Sequence, residues 1–187
     1  IGAGKTALPH WAIAQAVADE MKVLVISPSA DQVDAWYDGL RAALPINRVA
    51  KLNGTKDDHV GSADVVVTTA ADAIKDSVFG SSAKVMVLAD QVHEYGTREQ
   101  SRALDPVYAW RLGLSAAYHR DDSGIATYLE PYFGKVSFTL GYARALKDDV
   151  IAPFDVAVVP VTLNNAEQAE YDAPGQQMDT LADEMVK

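Results

Sequence analysis

The residues best equipped for chemistry open the chain: Ile1-Gly2-Ala3-Gly4-Lys5-Thr6. GAGKT matches the end of the phosphate-binding pattern GxxxxGK[ST], and the sequence opens at the third of that pattern's positions, so its leading glycine and feeding strand are not among these residues. Gly2, Ala3 and Gly4 let consecutive backbone amides approach phosphate oxygens, and a following helix would add its positive N-terminal dipole. Lys5 would reach the outer phosphates and the Thr6 hydroxyl would sit on Mg²⁺. Gly-Lys-Thr strings recur by chance, so the match gains weight only from its surroundings. It needs a helix directly after it and an acidic residue ending a later apolar strand. Residues 5–20 favour helix, and Asp90 follows the apolar run KVMVLA, where it could complete a metal shell. The plainer alternative is a glycine turn and an unrelated strand-end aspartate.

The elements that must position these groups follow from the apolar pattern. In the first helix, Leu8, Trp11 and Gln15 to Ala18 are expected to face inward, and Pro9 is awkward unless it lies in the first turn. KVLVIS (22–27), DVVVTT (64–69) and KVMVLA (84–89) are near-continuous apolar runs, the pattern of strands covered on both faces. Ser29 is a suitable cap for a helix whose Val33, Trp36, Tyr37, Leu40 and Leu44 recur at helical spacing, with Trp36 in the core. Shorter strands are expected at 48–53 and 111–115, and further ones at 136–140 and 156–163. Helices are expected through Ile74, at 98–104, at 124–132 with Ile125, Tyr128 and Leu129 inward, and at 142–146. His59 falls in a polar loop, 55–62, as a solvated side chain. Strands alternating with helices imply an α/β fold with a mainly parallel sheet and helices on both faces. Sites in such sheets gather at the carboxyl ends of the strands.

Composition narrows the class. The 187 residues are 49% hydrophobic and 22% charged, ordinary for one globular domain. A chain without cysteine has neither disulfides nor thiolate metal sites and fits a reducing compartment. No apolar run approaches the ~20 residues that span a bilayer, and the N-terminus has no basic-then-apolar pattern, so no membrane partner and a cytoplasmic, intracellular location are expected. The net charge of −10, from 26 acids against 16 bases, argues against a generally basic nucleic-acid-binding surface. A track built from backbone amides and helix N-termini adds no formal charge and stays open.

Taken in order, the motifs resemble the first RecA-like domain of superfamily 2 helicases and translocases, in the branch with a DExH box. The match runs from GAGKT to about Tyr171: VLVISPSADQVDAW is similar to motif Ia, DVVVTT to motif Ib, VLADQVHEYG to motif II and RLGLSAAYHR to motif III. YFGKVSFTLGYARAL resembles the segment just past motif III. The resemblance implies a P-loop NTPase domain over residues 1–163 and, at 164–187, a polar helical tail or linker toward a second RecA-like domain that this sequence does not contain. It implies ATP and Mg²⁺ as cofactors, bound by Gly2, Ala3, Gly4, Lys5, Thr6 and Asp90, with Thr6 and Asp90 on the metal. His93 and Ser115 would link the nucleotide to motif III, and Pro28, Ser29, Thr68 and Thr69 would lie along one nucleic-acid strand, DNA ahead of RNA.

Departures from the family pattern bear on activity. Gln91 stands where the family has the glutamate that activates the attacking water, and an amide cannot accept a proton. Loss of a general base typically costs ~10²–10⁴ in rate. Ala117 replaces the threonine of Ser-Ala-Thr, and His119 replaces a common glutamate as a surface substitution. The expected function is an ATP-binding motor domain with impaired hydrolysis. The alternatives are a nucleotide-dependent scaffold derived from a helicase, or an unrelated phosphate-loop enzyme such as a small-molecule kinase.

Overall fold

The computed structural model describes all residues except 1–6, 45–48, 54–59, 76–77, 80–83 and 175–187. The chain forms two compact units, Ile1–Ile151 and Ala152–Lys187. The first begins with α1 (Ala7–Ala18), β1 (Lys22–Ser27), α2 (Ala30–Ala43), β2 (Val49–Leu52) and β3 (Val65–Thr69). It continues with α3 (Ala70–Lys75), β4 (Val85–Ala89), β5 (Trp110–Gly113), α4 (Glu130–Phe133) and α5 (Tyr142–Lys147). Every strand pair is parallel, in the order β2-β3-β1-β4-β5. The expected α/β class and parallel sheet are therefore present.

The three central strands are buried on both faces because their side chains alternate between two cores. Val23, Val25, Val65, Val67, Met86 and Leu88 pack with Ile13 of α1 and Val33, Trp36 and Leu40 of α2. Leu24, Ile26, Val66, Val87 and Ala89 join Tyr95, Leu104, Tyr108 and Leu129 on the other face. Lys22 locks the start of this register by donating to the Ala63 carbonyl at 2.8 Å and the Asp64 carboxylate at 3.0 Å.

Several expectations are corrected. On α1 the inward stripe is Pro9, Ile13 and Ala16, whereas Leu8 and Trp11 are 55% and 68% exposed and Gln15 is also exposed. The helix ALPHWAIAQAVA carries so few polar residues that apolar spacing alone did not select a face. Pro9 lies within the described helix and is itself buried. Segment 98–104 closes as a 3₁₀ turn over Gln100–Ala103 instead of an α-helix. Segment 124–132 is a widened π-turn, Ile125–Leu129, running into α4. Pro131 has no N–H for a regular ladder there, and Leu129 still reaches the core. Segments 136–140 and 156–163 are irregular, with Phe138 64% and Val158 88% exposed. β-branched residues favour strands only where a partner ladder exists, and neither segment has one among the described residues.

In the second unit a helix spans 165–174. Asn164 starts it with a capping box: its side-chain oxygen accepts from the Ala166 and Glu167 amides while Glu167 accepts from the Asn164 amide at 2.8 Å.

Candidate functional site at the carboxyl edge of the sheet

Parallel strands all end on one edge, and that is where the chemistry-bearing residues meet. The register pairs Ser27 with Thr69, Ile26 with Ala89, and Ala89 with Gly113, so the segments after β1, β3, β4 and β5 emerge side by side. Backbone bonds extend this alignment past the strands: the Asp90 amide donates to Ile26, the Leu114 amide to Ala89, and the Val92 amide to Leu114.

Asp90 is a buried acid of this edge, 7% exposed. Its Oδ1 accepts from the Gln91 amide at 3.0 Å, and its Oδ2 accepts from the Trp36 indole Nε1 at 2.9 Å. The turn is tight: Gln91 has φ 54° and ψ 47°, a left-handed conformation that costs a residue with a Cβ about 1–2 kcal/mol. That conformation aims the Gln91 N–H back at the carboxylate preceding it. A 3₁₀ turn, Val92–Tyr95, follows and carries His93.

His93 Nδ1 lies 2.8 Å from Ser115 Oγ, across the gap between the β4 and β5 ends. Its other nitrogen, Nε2, faces Glu94 at 3.4 Å, while Ser115 Oγ also accepts from the Ala117 amide at 3.2 Å. Ala117 thus meets Ser115 through its backbone, and its methyl side chain adds no hydroxyl.

Arg120 braces the same edge. Its Nη1 donates to the His93 carbonyl at 2.7 Å, and its guanidinium forks onto the Asp122 carboxylate. That fork, followed by the Gly124 amide, holds the Asp122 carboxyl down to about 2. Glycine is required opposite it, because a Cβ on Gly124 would overlap the Gly96 carbonyl oxygen. His119 is exposed beside Asp121, as expected for a surface position.

Among the residues expected along a nucleic-acid strand, Pro28 and Ser29 are exposed, and Ser29 Oγ caps α2 by accepting from the Gln32 amide at 3.4 Å. Thr69 caps α3: its hydroxyl donates to Asp72 Oδ2 at 3.0 Å and accepts from the Asp72 amide at 3.2 Å. Thr68 is fully buried on the Val66 face, so its side chain is not presented at the edge. Gly2, Ala3, Gly4, Lys5, Thr6 and His59 lie outside the described residues.

The strand-end position pointed to Asp90, and the family resemblance to His93 and Ser115, but neither pointed to Trp36 as a partner of Asp90 or to Arg120 as a brace. A buried tryptophan does signal a need for an acceptor, yet nothing local names one 54 residues away.

No protein-family model matches the chain, and no curated protein does. Solved structures do. The UvsW helicase from bacteriophage T4 aligns over 69% of this chain and 49% of its own, with TM-score 0.52 and 21% identity. The Sulfolobus solfataricus SWI2/SNF2 ATPase core in complex with dsDNA aligns over 92% of this chain and 36% of its own, with TM-score 0.57 and 15% identity. The chain therefore spans about half the length of the first and about a third of the second. It has the RecA-like α/β fold of helicase and ATPase cores.

Proposed function

We propose that this chain is the ATP-binding motor domain of a DExH-type superfamily 2 helicase or translocase, one that hydrolyses ATP poorly. The observation that carries the proposal is the meeting of Asp90, Gln91, His93 and Ser115 at one sheet edge, with His93 and Ser115 hydrogen-bonded and the Asp90 carboxylate oriented by two donors. The fold shared with a helicase and with an ATPase core solved on dsDNA supports nucleotide and nucleic acid as ligands.

The donor chemistry fits Mg²⁺. Among the described residues no group of three or more His, Cys, Asp or Glu could cage a metal. One carboxylate at a strand end, joined by a hydroxyl, is the sparse protein contribution that Mg²⁺ accepts when phosphates and water complete its shell. Asp90 and Thr6 would hold the metal, and Gly2, Ala3, Gly4 and Lys5 the phosphates. Bound Mg²⁺-ATP supplies the phosphoanhydride and the charge that polarises it. Gln91 can hold a water by hydrogen bonds but has no site for its proton. The His93–Ser115 pair ties that region to the segment after β5. Pro28, Ser29 and Thr69 would steady a nucleic-acid backbone, DNA ahead of RNA, and a second RecA-like domain would close the nucleotide cleft.

The test is ATP turnover of the full-length parent protein, with and without nucleic acid, beside its Gln91→Glu form. Restoring the carboxylate should raise turnover about 10²-fold or more; equal rates would refute impaired hydrolysis. A Mg²⁺-ATP thermal shift that disappears in Lys5→Ala is expected on the same proposal. Gln91 also favours a second function, a nucleotide-dependent scaffold without turnover. That function predicts ATP binding with no gain of turnover in Gln91→Glu.

A further inference from the structure

Trp36 stands about two turns into α2 from the Ser29 cap. It is 8% exposed, within the core that joins α1, α2 and the sheet, and the His10 ring meets it edge-on with centroids 5.8 Å apart. The ring cannot turn without disturbing that packing. Its indole N–H is a donor only, and burial leaves it needing an acceptor. The acceptor is Asp90 Oδ2 at 2.9 Å, while the Gln91 amide takes Oδ1 at 3.0 Å. Two rigid donors on different elements, one on each oxygen, define the plane of the carboxylate.

We propose that Trp36 is a positioning residue for Asp90: its indole N–H fixes the orientation in which the carboxylate would meet a Mg²⁺-nucleotide. This rests on the assignment of Asp90 to the metal side of a nucleotide site. A phenylalanine would fill most of the same space but lack the donor. Trp36→Phe therefore separates the hydrogen bond from the packing.

The experiment measures ATP affinity of the full chain in EDTA and in Mg²⁺, for wild type, Trp36→Phe and Lys5→Ala, with thermal melts as the folding control. Trp36→Phe is expected to leave the EDTA affinity unchanged and to lower the Mg²⁺-dependent gain about tenfold, the loss of one charge-assisted hydrogen bond. An undiminished gain in folded Trp36→Phe overturns the proposal and makes Trp36 a packing residue only. Should that variant fail to fold, the wild-type indole N–H signals decide. Trp11 and Trp110 are 68% and 64% exposed, so the slowly exchanging indole belongs to Trp36. It should shift with Mg²⁺-ATP and not with ATP in EDTA, and an indifferent signal overturns the proposal. Absence of any Lys5-dependent ATP binding in the wild type would instead refute the nucleotide site itself, and the positioning role with it.

Discussion

Gln91 joins two properties at the residue scale. Its side chain is a neutral amide where proton transfer would need a carboxylate, and its backbone adopts a left-handed conformation that returns its N–H to Asp90. The backbone role needs no particular side chain, so Gln91→Glu should keep the Asp90 geometry while restoring a base. Arg120 and Asp122 make a second residue-scale device, bracing the His93 carbonyl through a charged fork. The folded-state pKa of Asp122, about 2, lies below the ordinary carboxylate value, so folding favours the ionised form. The stability it contributes is complete above the ordinary value and is lost as pH falls through about 2. Thermal melts of wild type and Asp122→Ala should differ by a constant gap at neutral pH, and the gap should close between about pH 4 and pH 2. A gap that persists at the acid end would show that the charge pair is not its origin.

The two helices on one face of the sheet separate what pattern can and cannot say at the element scale. On α2, Val33, Trp36 and Leu40 are buried at helical spacing and the charged residues face out, as the sequence implies. On α1, apolar residues surround the helix, and only docking chose Pro9, Ile13 and Ala16 over Leu8 and Trp11. Leu40 is fully buried, so Leu40→Ala should cost roughly 2–5 kcal/mol in denaturant unfolding. Trp11, far larger but 68% exposed, should change stability by no more than about 0.5 kcal/mol on truncation to Ala. The reverse ranking would mean that α1 buries the face first expected of it.

Charge governs behaviour at the scale of the whole molecule. With 26 acids against 16 bases, a net −10 repels a polyanion over most of the surface. Binding to single-stranded DNA, if the proposed contacts at Pro28, Ser29 and Thr69 operate, would rest on backbone amides and capped helix ends. Few counterions would then be displaced. The plot of log K against log salt should have a shallow slope, about −1 to −2, where each neutralised phosphate on a single strand contributes about −0.7. A slope near −5, as about seven phosphate contacts would give, would reveal a basic track that this surface is not expected to form.

The sequence by itself determined the α/β class, the buried strands and Asp90 as a strand-end acid. Runs such as KVLVIS and KVMVLA admit burial on both faces and little else. Order along the chain also placed His93 and Ser115 after two different strands, and a shared motif pattern related them. The tertiary structure alone decided the 2.8 Å contact between them, the face of α1, the irregular course of 136–140, and the bond from Trp36 to Asp90. These depend on which surfaces meet when helices dock on a finished sheet, and local periodicity carries no information about a partner distant in sequence. The strand-end acid was legible from its neighbours in the chain, and the donor that orients it only from its neighbours in space.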